Sequence, residues 1–127
     1  MDARPIGIFD SGVGGLTVAR AVIDLLPHES VIYFGDTARF PYGDRSPGEL
    51  LGFARELAGI LLERGAKLLV VACNSATSAA LPALRREFER RVPVVGVVRP
   101  GAVAAAAATR SGSVAVIATA GTVESAA

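Results

Sequence analysis

The stretch "LLVVACNSATSAAL", residues 68–81, passes from an uninterrupted apolar run to a polar cluster around Cys73. Such a run is typical of a strand that is buried on both faces, and the small polar residues after it begin a helix. Because a proline inside a helix costs a hydrogen bond, Pro82 predicts a short helical turn followed by a helix from about Leu81 to Phe88. The stretch therefore predicts one strand–helix unit of a parallel sheet.

The same rhythm recurs along the chain. Short apolar runs are followed by residues rich in Gly or Ser and, in most cases, by a helical pattern. This alternation predicts the α/β class, with a parallel sheet covered by helices on both faces. The predicted strands are "PIGIF" (5–9), "SVIYFG" (30–35), "AKLLVVAC" (66–73), "VPVVGV" (92–97) and "SVAVIAT" (113–119).

Three further helices are predicted between these runs. One covers residues 16–26 and ends before Pro27. Another begins with a capping box at Ser46 and Glu49, and the Ala-rich run 102–110 is a linker helix or one packed on both sides. The first helix should bury Leu16, Ala19, Val22, Ile23 and Leu26, and the second Leu50, Ala54, Leu57, Ala58 and Leu61.

Composition excludes several classes of protein. The 127 residues are 51% hydrophobic and 20% charged, with a formal net charge of +1, as in a globular domain. A single cysteine forms no internal disulfide, and no signal-peptide or membrane-span pattern is present, so we expect a cytoplasmic protein. The basic cluster "RREFERR" (85–91) alternates with glutamates, which favours a solvated helix face over a nucleic-acid surface.

The carboxyl ends of parallel strands meet at one edge of the sheet, where ligands bind against helix N-termini. Cys73 is expected at this edge, where the positive end of the following helix favours the thiolate over the thiol. A buried cysteine is also a common small core residue. The residues alone leave both the reactive and the structural role open.

The cluster "DSGVGG" (10–15) also falls on this edge. Its glycines either bring backbone amides close to a bound anion or simply fit a strand-to-helix turn. A dinucleotide fingerprint would need glycine in place of Thr17, although Asp36 stands where a ribose-binding acid would. The ending of a P-loop is missing.

Four motifs in this order and spacing resemble the amino-terminal half of a glutamate racemase, in the aspartate/glutamate racemase family. They are "IGIFDSGVGGLTV" (6–18), "YFGDTARFPYG" (33–43), "VVACNSAT" (70–77) and "VAVIATAGTVES" (114–125). The resemblance implies a flavodoxin-like α/β half and a cofactor-independent, metal-free isomerase that interconverts L- and D-glutamate for peptidoglycan. In that family, two cysteines flank the α-carbon and transfer protons on opposite faces.

The resemblance also assigns residues. Cys73 matches the first catalytic thiol, and Asp10 matches an acid beside it that assists proton transfer and contacts the substrate. The other positions that match the substrate pocket are Ser11, Pro41, Tyr42, Gly43, Asn74, Ser75, Thr119 and Thr122.

This chain departs from the family in what it lacks. It has no second cysteine, and its one histidine, His28, follows the first helix and receives no catalytic role. Residues 1–97 are expected to form most of a first domain and 98–127 to begin a second, so we expect the chain alone to be inactive. The alternative is a non-catalytic module that binds a small anion or a partner. A homodimer and a preference for aspartate over glutamate both stay open.

Overall fold

The computed structural model describes residues 2–126, so Met1 and Ala127, the outer ends of the two predicted domains, lie outside the described residues. Strands and helices alternate through most of this range. The elements are β1 (Ile6–Asp10), α1 (Leu16–Leu25), β2 (Val31–Gly35), α2 (Pro47–Glu63), β3 (Leu68–Val71), α3 (Asn74–Phe88), β4 (Val94–Gly96), α4 (Val98–Ala108) and α5 (Ala120–Glu124). Within the described range, no helix is both long enough and apolar enough to cross a membrane.

The strands form one parallel sheet in the order β2-β1-β3-β4. The chain leaves β1 toward one side to form β2 and returns to the other side to form β3. The strand order therefore reverses between β1 and β3, which is where open α/β sheets bind their ligands. This topology confirms the predicted class and places the end of β1 beside the end of β3.

Helices cover both faces of the sheet, as predicted. On one face α2 and α3 bury the larger apolar cluster, which includes Phe9, Leu57 and Leu84. On the other face α1 covers a smaller cluster around Ile8 and Ala19. All of the predicted core positions of α2 are buried.

The predicted apolar face of α1 is largely wrong. Ala19 is buried and Val22 half-buried, but Leu16, Ile23 and Leu26 are 50%, 46% and 42% exposed. This helix has ten residues and meets the smaller cluster only through Val18, Ala19 and Val22. A short helix over a small cluster covers a narrower stripe than its apolar pattern suggests.

The break predicted around Pro82 does not occur. Helix α3 runs without interruption from Asn74 to Phe88, and Pro82 lies on its exposed side. Proline costs this helix the hydrogen bond to the carbonyl of Ser78, but Ala80 and Leu84 on either side of it are buried in the larger cluster. Tertiary packing of the apolar face therefore holds the helix together.

The strand predicted at 113–119 is also absent. These residues are exposed, and within the described range no strand pairs with them. A strand needs a neighbour to satisfy its backbone N–H and C=O groups, so the apolar pattern alone does not produce one. The Ala-rich helix α4 forms but is exposed along most of its length, so it is not packed on both sides.

The capping box of α2 is present as predicted. Ser46 Oγ accepts a hydrogen bond from the Glu49 N–H (3.3 Å), and Glu49 Oε2 accepts one from the Ser46 N–H (2.9 Å). We expect Ser46→Ala to lower the free energy of unfolding by about 1 kcal/mol in urea denaturation, because it orphans a helix N–H. Ser30→Ala, at an exposed serine outside any helix, is the matched control. Equal stability of the two variants would contradict the prediction.

Candidate active site

The switch point of the sheet brings Asp10 and Cys73 together. Asp10 ends β1 and Cys73 follows β3, and the two residues are only 5% and 6% exposed. Both line a cavity of about 1190 Å³ at the carboxyl edge of the sheet. The other predicted site residues that line this cavity are Ser11, Asn74, Ser75, Thr119 and Thr122.

The loop after β1 folds around the carboxylate of Asp10. Asp10 Oδ2 accepts hydrogen bonds from the N–H groups of Gly12 (3.2 Å) and Gly15 (2.9 Å). A Cβ on Gly15 would lie 2.7 Å from Asp10 Cβ and 2.9 Å from Ala72 Cβ, so only glycine fits there. Of the two interpretations of "DSGVGG", the structure supports the one in which the glycines fit a strand-to-helix turn. The amides of Gly12 and Gly15 bind the side-chain carboxylate of Asp10.

Cys73 is the N-cap of α3. Its Sγ accepts a hydrogen bond from the Ala76 N–H (3.4 Å) and lies 3.6 Å from Ser11 Oγ, to which the thiol donates. Ser11 Oγ in turn donates to Asp10 Oδ1 over 3.5 Å. Thiol, hydroxyl and carboxylate therefore form a chain along which a proton can pass from Cys73 to Asp10. Cys73 also belongs to the larger apolar cluster, so it packs in the core as well as lining the cavity.

A row of hydroxyl groups borders the cavity. Ser75 Oγ lies 3.1 Å from Thr119 Oγ1, which lies 3.0 Å from Thr122 Oγ1. These contacts join the start of α3 to the start of α5. The hydroxyls can donate to a ligand carboxylate or accept from an ammonium group.

Tyr42 and Gly43 line a second cavity of about 600 Å³, which shares the Ser75, Thr119 and Thr122 border with the first. The Tyr42 ring is buried, and its hydroxyl donates to Asp36 Oδ2 over 2.5 Å. Its side chain thus faces the protein interior, which leaves the backbone of this stretch for a ligand.

One predicted site residue, Pro41, lies apart from both cavities, as does His28, to which no role is assigned. Pro41, which follows a cis peptide bond after Phe40, is exposed and lines neither cavity. His28 is likewise exposed and lines neither. Asp36, considered as a ribose-binding acid, is buried, and its carboxylate binds Arg39 and Tyr42 instead.

Sequence reasoning missed Tyr33. Its hydroxyl donates to the Gly12 carbonyl (3.1 Å) and lies 3.5 Å from Asp10 Oδ2. Burial, together with the negative charge of Asp10, raises the pKa of Tyr33 to about 12. Side-chain alternation in β2 places Tyr33 on one face of the sheet, but no sequence pattern indicates that its hydroxyl reaches the loop after β1.

This shift predicts how Tyr33 titrates. Phenolate absorbance from Tyr33 should appear near pH 12 rather than near the ordinary value of 10.0, and Tyr33→Phe should remove that component. Because its pKa is raised on folding, Tyr33 contributes stability that is complete below pH 10.0 and is lost as the pH rises toward about 12. A tyrosine component that titrates near 10.0 in the folded protein and vanishes in Tyr33→Phe would contradict this.

Comparisons with known proteins agree with this geometry. The family described as Asp/Glu/Hydantoin racemase matches residues 16–127. A glutamate racemase of Geobacter metallireducens is 56% identical over 127 residues, which are all of this chain and 46% of that protein.

Solved structures show the same likeness. A glutamate racemase of Bacillus anthracis is 47% identical with a TM-score of 0.91 over 99% of this chain and 47% of that one. A Francisella tularensis glutamate racemase, solved in complex with D-glutamate, is 39% identical with a TM-score of 0.86 over 99% of this chain and 46% of that one. This chain spans about half the length of these relatives. It belongs to the Asp/Glu/Hydantoin racemase family.

Proposed function

We propose that this protein interconverts L- and D-glutamate, with Cys73 as one of two acid–base groups. The observation that carries the proposal is the buried Cys73 thiol at the switch point, linked through Ser11 to the carboxylate of Asp10. Relatives that are glutamate racemases, one of them solved with D-glutamate, support glutamate as the substrate.

In the proposed reaction the Cys73 thiolate takes the α-proton of glutamate and becomes a thiol, which leaves a carbanion at the α-carbon. A second acid then donates a proton to the opposite face of that carbon. The second acid recovers its proton from solvent. Asp10 accepts the proton of Cys73 through Ser11, which restores the thiolate, and then releases that proton to solvent. The geometry supports the transfer from Cys73 to Asp10, since the three groups already form a hydrogen-bonded chain.

By the resemblance the second acid is a further cysteine, and Cys73 is the only cysteine among these 127 residues. We propose that the second acid comes from the half of the relatives that this chain does not span. Residues 1–97 would then form most of the first domain and residues 98–127 would begin the second, with the substrate between them. The exposed apolar residues of 113–119 are consistent with a segment that packs against further chain.

The pocket suits a small zwitterion. The hydroxyls of Ser75, Thr119 and Thr122 would bind its charged ends, together with the side-chain amide of Asn74 and the backbone at Tyr42 and Gly43. No cofactor or metal takes part in the proposed reaction. We further propose that the protein acts in the cytoplasm, where D-glutamate would supply peptidoglycan synthesis, and that any homodimer leaves this site within each protomer.

The test is to incubate the full-length protein with L-glutamate in deuterium oxide. We expect D-glutamate to form with deuterium at its α-carbon, and L-aspartate as control substrate to react far more slowly. The 127-residue chain alone should at most exchange the α-proton of glutamate. Absence of D-glutamate with the full-length protein, together with glutamate binding, would instead favour the non-catalytic binding module.

A further inference from the structure

The carboxylate of Asp36, just after β2, has no role in the proposed reaction, although its side chain is only 5% exposed. Its Oδ2 accepts hydrogen bonds from the Tyr42 hydroxyl (2.5 Å) and from Arg39 Nε (2.6 Å). A buried carboxylate is costly unless such donors compensate it. Asp36 is therefore tied firmly to the loop that carries Tyr42 and Gly43.

The backbone of Asp36 is hydrogen-bonded to the end of β1, on the side of the site that carries Asp10. Its N–H donates to the Asp10 carbonyl over 2.9 Å. The neighbouring Gly35 packs so closely on the loop after β1 that a Cβ there would lie 2.3 Å from the Gly12 carbonyl oxygen. One residue thus joins the end of β1, which carries Asp10, to the stretch that carries Tyr42.

Two residues of α2, Phe53 and Glu56, also contact the segment that Asp36 holds. The Arg39 guanidinium lies 4.3 Å from the centre of the Phe53 ring, and the Tyr42 ring is centred 5.5 Å from the same ring. Arg39 also pairs with Glu56 (2.6 Å), whose side chain is mostly exposed. Exposed ion pairs stabilise little, so the Glu56 contact is expendable while the Asp36 contact is not.

We propose that Asp36 is a positioning residue which, through Tyr42, sets the placement of the Tyr42–Gly43 backbone relative to Asp10 and Cys73, and thereby the affinity of the site for its substrate. This rests on the proposed function. The Tyr42 phenol is suited to the task, because burial and the charge of Asp36 raise its pKa and keep it a hydrogen-bond donor.

The kinetic test uses the full-length protein with Asp36→Asn, Tyr42→Phe and both together. Each single variant should raise the KM for glutamate about tenfold and change kcat by less than about threefold, since ground-state placement is what is lost. The double variant should exceed neither single variant by more than about twofold, because both break one link. Glu56→Gln, the matched control, should leave KM and kcat unchanged. An unaltered KM in the folded Asp36 and Tyr42 variants would overturn the proposal.

Hydrogen exchange provides a readout that does not depend on racemisation. The amides of residues 40–45, apart from Pro41, which has none, should exchange about tenfold faster in Asp36→Asn and Tyr42→Phe than in wild type or Glu56→Gln, with β1 and β3 unchanged. Faster exchange throughout the sheet would indicate a merely structural role for Asp36 and count against positioning. Unchanged exchange in residues 40–45 would also count against positioning. If wild type makes no D-glutamate, the proposed function fails while this comparison still decides the role of Asp36.

Discussion

Cys73→Ser in the full-length protein is expected to reduce glutamate racemisation by about 10³-fold or more, the upper range for loss of a positioned acid–base group. The substitution keeps the size of the side chain and an acceptor for the Ala76 N–H at the start of α3. An alcohol is a far weaker acid than a thiol and is not ionised at neutral pH, so in the proposed reaction the α-proton loses its acceptor. The measurement is the initial rate of D-glutamate formation from L-glutamate.

Two further observations separate chemistry from folding. Cys73→Ala should lose as much activity as Cys73→Ser, and thermal unfolding of the serine variant should remain close to that of wild type. α-Proton exchange with deuterium oxide should fall in parallel with racemisation, because in the proposed reaction Cys73 takes that proton itself. Turnover by the serine variant within about tenfold of wild type would remove Cys73 from the mechanism.

Asp10→Ala is expected to abolish activity and also to lower the free energy of unfolding by about 3 kcal/mol, since two buried N–H groups lose their acceptor. These donors belong to Gly12 and Gly15, whose loop folds around the carboxylate. Urea denaturation measures the stability, and the racemisation assay measures the rate. Asp10 is thus expected to hold the loop as well as to accept a proton.

Asp10→Asn distinguishes the two roles. The amide keeps one oxygen that can accept from the loop, so we expect it to retain more stability than the alanine variant while losing about 10²-fold or more in rate. Asp24→Ala removes an exposed aspartate that pairs with Arg20 on α1, and it serves as the matched control. It should leave the rate unchanged and cost less than about 1 kcal/mol. A fully active Asp10→Asn enzyme would show that Asp10 acts only on structure.

The large features of the fold could be predicted because they depend on local patterns. Apolar runs that alternate with helical segments indicate a parallel sheet covered on both faces, and the capping box at Ser46 marks the start of α2. The motif around Cys73 could be placed at the carboxyl edge for the same reason. The family resemblance then predicted that Asp10 lies beside it, and in the structure Ser11 links the two.

The wrong predictions share a physical cause. A local sequence pattern allows a helix break, a strand or a buried face, but tertiary packing decides whether it forms. Pro82 does not break α3, because buried neighbours outweigh one lost hydrogen bond. Apolar residues at 113–119 do not form a strand, since within the described range none pairs with them. Leu16 and Ile23 of α1 are exposed because the cluster beneath that helix is small.

The sequence by itself determined the α/β class, the place of Cys73 after a buried strand, and the family. The first two follow from periodicity and from helix-capping chemistry, which are properties of neighbouring residues, and the family follows from the resemblance of four motifs to known racemases. Only the tertiary structure decided that the glycine-rich loop binds the carboxylate of Asp10, that Tyr33 reaches this loop, and that Asp36 joins it to Tyr42. Such contacts link residues from different strands and loops. Which groups meet depends on the distances between them in the folded chain, and these distances cannot be read from the sequence of neighbouring residues.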